Sequence, residues 1–242
     1  MSGHSKWNNI KHKKEKTDAQ KAKVFTKIGK EISMAVKAGG ADPNSNSRLR
    51  DLIAKAKANN VPNDNIERTI KKAASADAEV YEAVTYEGYG PSGVAVIVET
   101  ATDNRNRTSA DLRHFFDKFG GNLGTTGCVA FLFHDQGVIL LESDKGEDAV
   151  MEDALDAGAE DIATEEENSY LITTAPEDLD AVRDALAQKG YELLSAEVEK
   201  IPATNVNLTN EDDIVKMRRL LDALDDDEDV QEVYHNWENA ED

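Results

Sequence analysis

Cysteine is almost absent from this chain: Cys128 is the single example in 242 residues. That excludes an internal disulfide framework and any metal cluster built on cysteine. Long apolar runs are missing too, since none exceeds a handful of residues, so no segment is long enough to span a bilayer. The basic opening residues are followed by no apolar stretch and do not read as a signal peptide, which makes the cytoplasm the expected address. Aromatic residues are sparse at 6%, yet 39% of the chain is hydrophobic, a lean but globular composition. No phosphate loop of the G-x-x-x-x-G-K type and no nucleophile elbow occur. The histidines at 4, 12, 114, 134 and 235 show no metal-ligand spacing. Carboxylates are too abundant for any pair to stand out as an acid and base. The expectation is therefore a protein that is not an enzyme, with no catalytic residues, metal, cofactor, small-molecule substrate or membrane partner.

What is present is a strong charge asymmetry. The formal net charge is −20, but residues 1–72 hold 17 Lys and Arg against 7 Asp and Glu, a balance of +10. The remainder carries −30. Segregation of this kind offers one basic segment to a polyanion while the acidic body is repelled from it.

Periodicity predicts a mixed α+β protein of three domains. Residues 1–16 read as a basic arm. A helix opening with a capping box at Thr17 and Gln20 runs to Gly39-Gly40. It carries Val24, Phe25, Ile28, Ile32, Ala35 and Val36 on one face and Lys23, Lys27, Lys30 and Lys37 on the other. A second helix starts between Asn44 and Ser47, and a third is capped by Asn63. Strands are expected at Val80–Glu87, Val94–Thr100 and Cys128–Phe133, with a helix starting at Thr108. Residues 138–198 then follow a β-α-β-β-α-β order, the ferredoxin-like arrangement. A last helix over 210–224 and a strand over 230–234 are too few to stand alone, so they are expected to complete the sheet begun at Val80. The expected boundaries are 1–78 for the arm and helical domain, 79–134 with 203–242 for the middle domain, and 135–202 for an inserted acidic ferredoxin-like domain.

Gly88-Tyr89-Gly90-Pro91-Ser92-Gly93 matches G-x-G-x-x-G, but a β-branched run follows it where a dinucleotide site needs a helix. The Asp225–Asp229 run lacks the alternation and glycine of a calcium loop and reads as a solvated turn. Cys128 reads as a small buried residue in an apolar strand. Two constellations rise above this background. His4, Ser5, Lys6 and Trp7, continued by Lys11, Lys13, Lys14 and Lys16, combine short donors, cations and one indole, which suits phosphate contact and base stacking. Lys23, Lys27 and Lys30 extend this basic surface along the first helix. The second constellation is Asn104, Arg105, Asn106, Arg107 and Thr108, between a strand and a helix. Cations beside a helix N-terminus suit an anion clasp. The competing reading has the arginines bridging to the acidic body, with Asp103 capping the helix.

These stretches resemble the YebC family, also called PmpR, which includes the mitochondrial translational activator of cytochrome oxidase. The resemblance is carried by GHSKW (Gly3 to Trp7), KVFTKI (Lys23 to Ile28), YEGYGPSG (Tyr86 to Gly93), TDNRNRT (Thr102 to Thr108), GGNLGTTG (Gly120 to Gly127), GAED (Gly158 to Asp161) and VYHN (Val233 to Asn236). Cys128 departs from it, since serine is usual there. The resemblance implies a three-domain fold and a role in gene expression, with GHSKW and DNRNRT as functional patches. It carries two descriptions: a DNA-binding transcriptional regulator, and a ribosome-associated factor that helps translation through stretches such as consecutive prolines. None of the N-terminal helices presents a cluster of base-reading Asn, Gln and Arg. The ferredoxin-like unit lacks the basic-aromatic strands of an RNA-recognition motif. A basic foot on an acidic body favours ribosomal or transfer RNA over DNA, with a monomer expected.

Overall fold

The computed structural model describes residues 18–239 except 167, and side chains from residue 22 onward except those of 165–167. Thr17 and the arm before it lie outside the described residues. Helices α1 (Asp18–Gly39), α2 (Ser47–Ala58) and α3 (Asn63–Ala73) come first. Ile28, Ile32, Ala35 and Val36 of α1 pack against Leu49, Leu52 and Ala56 of α2 and Ile66 and Ala73 of α3. The 3.6-residue repeat thus becomes one shared core. Asn46 joins two of these helices. Its side-chain oxygen caps α2 by accepting the Leu49 N–H at 3.0 Å, while its amide donates to the carbonyls of Ala35 and Gly40 at 2.9 and 2.8 Å. α3 differs from expectation at its start: Pro62 occupies the cap position and Asn63 is already helical, with no side-chain cap bond. Proline fits that site because its φ is already set and it has no N–H to leave unpaired.

Strands β1 (Glu82–Tyr89) and β2 (Ala95–Thr102) form a hairpin closed by a 3₁₀ turn at Pro91–Gly93. Of the glycines of the G-x-G-x-x-G match, Gly88 lies within β1 and Gly90 and Gly93 lie in the turn between the strands, and it is strand β2 that follows them. Helix α4 (Arg105–Lys118), the short β3 (Asn122–Leu123), helix α7 (Glu211–Asp226) and strand β8 (Val230–His235) complete this layer. The sheet order is β3-β1-β2-β8, so the C-terminal strand lies beside β2. Leu112 and Phe116 of α4, and Met217, Leu220 and Leu224 of α7, are buried together with the apolar residues of β2.

The strand expected at Cys128–Phe133 is absent. Residues 130–132 form a 3₁₀ turn and Cys128 precedes it, half-buried. The cause is Glu87, whose buried carboxylate accepts backbone N–H groups from Gly127, Val129 and Ala130 at 2.7, 2.9 and 2.8 Å. Those donors are satisfied by one side chain and are not free to pair in a ladder. Burial alone raises the Glu87 carboxyl, but the three N–H groups outweigh it and hold it below the usual range.

The second compact unit, Phe131–Asn205, is distinct from the one that holds α1–α4, α7 and the first sheet. It comprises β4 (Phe133–Glu142), α5 (Glu147–Ala157), β5 (Asp161–Glu166), β6 (Ser169–Thr174), α6 (Leu179–Gln188) and β7 (Glu192–Pro202). The antiparallel order β5-β6-β4-β7 is that of a ferredoxin-like sheet. Ile139, Leu141, Tyr170 and Ile172 pack beneath Val150 and Ala154 of α5 and Val182 and Leu186 of α6. β7 runs to Pro202, past the charged residues Glu197, Glu199 and Lys200, because it is an edge strand whose outer side tolerates them. The observed class is thus mixed α+β, with N-terminal helices and two antiparallel sheets.

Asn46→Ala removes a cap, the bond to Ala35 of α1 and the bond to Gly40 just beyond it. Chemical denaturation is expected to show a loss of about 1–2 kcal/mol, the usual value for an N-cap with further buried bonds.

Candidate nucleic-acid interface

The segment Asp103 to Thr108 is not a loop leading into a helix at Thr108. α4 begins at Arg105, and the cap is Asn104, whose side-chain oxygen accepts the Arg107 N–H at 3.1 Å. The Asn104 N–H in turn donates to the Thr102 hydroxyl at 2.9 Å. Asparagine is among the best N-caps, whereas Thr108 lies inside the first turn, with its hydroxyl 3.2 Å from the Asn104 carbonyl. Arg105, Asn106 and Arg107 are therefore the first three helical residues.

Beneath that turn lies Asp229, immediately before β8. Its carboxylate accepts from Lys30 Nζ at 2.6 Å, Arg107 Nη2 at 2.7 Å, Thr108 Oγ1 at 2.7 Å and Thr102 Oγ1 at 3.3 Å. Burial would raise the Asp229 carboxyl; hydrogen bonds from Lys30, Arg107 and Thr108 overcome it and hold it at about 2. Lys30 is buried as well, and its ammonium also donates to the carbonyls of Glu228 at 2.8 Å and Ala101 at 3.3 Å, beneath the Tyr81 ring. Every donor of that ammonium is thereby used. Arg107 bridges outward to Asp103 at 2.7 Å and remains half exposed. Hydrogen bonds to Asp229 and Asp103 raise its guanidinium further above its ordinary range. The Tyr81 phenol is pushed up to about 12 by burial and by its bond to Glu79.

The acidic run that reads as a solvated turn in sequence begins within the last turn of α7 and is an ion-pairing partner of α1. Lys23 bonds to Asp226, Lys27 to Asp225 at 3.0 Å and Lys30 to Asp229, one lysine per successive turn of the helix. A surface cleft of about 680 Å³ opens beside it, with Lys30 and Arg107 on one wall and Ala223 and Asp226 on another.

His4, Ser5, Lys6, Trp7, Lys11, Lys13, Lys14 and Lys16 lie outside the described residues. Lys30, Arg107 and Thr108 are brought together by Asp229, so of the expected phosphate-contact cations Lys30 is held inside the fold and Arg107 is tethered while half exposed. Lys23 and Lys27 are held only by exposed aspartates. Arg105 and Asn106 face outward, with Arg105 at 3.8 Å from Glu82 and its carbonyl accepting from the Tyr86 hydroxyl. Asp103 does not cap α4, but the bridging of Arg107 to acidic residues is present. Sequence reading missed Asp229, whose only signal was its place at the end of an acidic run, directly before an apolar strand. Among the described residues no group of His, Cys, Asp and Glu suits a metal ion, and no helix is long and apolar enough to cross a membrane.

Asp229→Asn leaves Lys30 buried without its counter-charge and is expected to cost about 3–5 kcal/mol of stability. The native carboxyl titrates at about 2 and the unfolded one near 3.9. Its contribution is therefore complete above about pH 4 and is lost as pH falls toward 2. Urea titrations across that range are expected to show a steeper acid loss in the parent than in Asp229→Asn.

Comparison with known proteins agrees with this architecture. The family model described as the TACO1/YebC protein N-terminal domain matches residues 5–76, and the one described as the TACO1/YebC second and third domain matches residues 81–237. A probable transcriptional regulatory protein of Acetivibrio thermocellus is 62% identical over 240 residues, covering 98% of this chain and 99% of the relative. One of Caldicellulosiruptor saccharolyticus with the same description is 57% identical over 244 residues, covering 100% of both chains. The crystal structure of a conserved hypothetical protein from Aquifex aeolicus superposes with a TM-score of 0.83 at 43% identity, covering 93% of each chain. With both family models placed in order over nearly its whole length, the chain belongs to the TACO1/YebC family.

Proposed function

We propose that the protein is a non-enzymatic, nucleic-acid-binding regulator of gene expression that grips phosphate with its basic N-terminal region. The observation that carries this reading is the opposition of +10 in residues 1–72 to −30 in the rest. Such a polarity orients the molecule before contact and keeps the body away from the polyanion. The ion pairs of Lys23 and Lys27 do not oppose it. Exposed pairs are worth about 0–1 kcal/mol, so an arriving phosphate exchanges with Asp225 and Asp226 at little cost. Lys30 is different: its buried pair holds α1 in place and presents the outer lysines. At α4, Arg105 and Asn106 are the residues offered to a backbone, while Arg107 supports them from Asp229.

Within this reading we place the protein on the ribosome, acting on the synthesis of difficult stretches such as consecutive prolines. Its cations are spread along helix faces in a way that suits phosphate contact without base readout. The described names of the relatives favour a second reading, a DNA-binding transcriptional regulator. Co-sedimentation with ribosomes, compared with retardation of promoter fragments, separates the two.

Truncation at residue 72 would remove Lys30, one of the cations paired with Asp229, so point substitutions are the cleaner test. Lys6→Ala, Lys11→Ala, Lys13→Ala and Lys14→Ala together are expected to weaken RNA binding and to flatten the dependence of log affinity on log salt by about 3 units, at roughly 0.7 per lost contact with single strands. Binding by the parent that is indifferent to salt would refute the reading. At α4, Arg105→Ala is expected to lower activity on a proline-rich reporter without changing the melting temperature. Arg107→Ala is expected to lower both, because Asp229 loses a donor.

A further inference from the structure

The acidic body retains eleven basic residues after position 72, and seven of them fall on two helices, α4 and α7. These helices pack side by side over the sheet. Helical spacing places Asp111, Phe115 and Lys118 on one stripe of α4, and Lys216, Arg219, Ala223 and Asp226 on one stripe of α7. Asp111, Phe115, Ala223 and Asp226 line the same cleft, so the two stripes face a common furrow. Its other end holds Lys118, Lys216 and Arg219. The turn after α4 confirms the approach: a Cβ built on Gly120 would lie 3.7 Å from the Lys216 side-chain stem. Lys118 sits over the Phe119 ring at 5.2 Å. All three cations are exposed, and among the described residues none forms an ion pair. Asp212 and Asp222 lie within helical reach on α7, yet neither neutralises Lys216 or Arg219.

Exposed cations that no carboxylate engages are free to meet an arriving anion without first breaking an ion pair. We propose that this end of the α4–α7 furrow is a second phosphate-binding surface, where Lys118, Lys216 and Arg219 contact the sugar–phosphate backbone of the nucleic acid held by the N-terminal region. The inference rests on the nucleic-acid reading above and extends it to a two-point grip. Charge complementarity selects the occupant: three exposed cations on neighbouring helices suit a phosphate backbone, and they carry no base-reading amide among them.

The test uses the full chain with Lys118→Gln, Lys216→Gln and Arg219→Gln combined, which removes charge while keeping the side-chain stems. Fluorescence anisotropy against a 20-nucleotide RNA, and against a DNA duplex of the same sequence, is read across a salt series, with the melting temperature as a check on folding. The expected result is an affinity about tenfold lower at 0.1 M salt and a slope of log affinity on log salt smaller by about 2 for RNA. A control with the same loss of charge, Lys145→Gln, Lys189→Gln and Lys200→Gln, is expected to change neither. Unchanged affinity and slope in the furrow variant, while the parent binds steeply with salt, would overturn this inference and leave the N-terminal grip intact. An equal loss in the control would overturn it by showing that net charge alone is read. A parent that binds neither probe would overturn both readings.

Discussion

A single buried carboxylate ties together most of what distinguishes this molecule. Asp229 draws a lysine from α1, an arginine and a threonine from α4 and a threonine from β2 onto one pair of oxygens. Those groups belong to three different elements, so the position of the N-terminal helices over the first sheet depends on this contact. Its energetics follow from burial. Separately, the Lys30 ammonium and the Asp229 carboxylate would be costly to desolvate; together, with every donor used, they define one arrangement and penalise others. Asp229 also lies under the first turn of α4, where its negative charge offsets the unfavourable placement of Arg105 and Arg107 at the positive end of a helix.

The same region shows how an acidic protein carries a basic surface without collapsing onto it. Lys23 and Lys27 meet the aspartates that end α7 in exposed pairs, which satisfy the cations in the free protein but hold them weakly. Lys30, one turn further along, is locked. A gradient from fixed to exchangeable thus runs along one helix face, with the exchangeable end toward the N-terminal arm. The three cations between α4 and α7 extend the positive surface onto the sheet layer. Against this stands the ferredoxin-like unit, whose lysines and arginines are largely engaged by its own aspartates, as with Lys189 and Asp153 or Arg183 and Asp180.

Much of the architecture was legible because it rests on periodicity. The helical repeat of α1, the glycines that end it, and the alternation of strands and helices after Gly137 each report a burial pattern that the sequence must satisfy. Three features were hidden because they depend on contacts distant in sequence. Glu87 removes the strand expected at Cys128 by capturing three N–H groups some forty residues away. Asn104, not Thr108, opens α4, since both can cap and only the geometry of Thr102 and Asp229 decides between them. The acidic run at 225–229 reads as uniformly solvated, yet its last member is buried. In the candidate interface, the segregation of charge was visible from composition. Which lysines are held inside and which remain on offer was not, because a lysine on a helix face looks the same whether it meets water or a buried carboxylate.

Lysine reactivity with and without RNA tests the polarity of the molecule most directly. Acetylation followed by mass spectrometry reads each lysine in the full chain separately. The expected result is protection by RNA at Lys6, Lys11, Lys13, Lys14, Lys23 and Lys27 and at Lys118 and Lys216. Lys30 should stay unreactive in both states, and Lys145, Lys189 and Lys200 should be unchanged. Protection concentrated on the lysines of the ferredoxin-like unit, with the N-terminal lysines equally reactive in both states, would contradict a grip built on the basic N-terminal region.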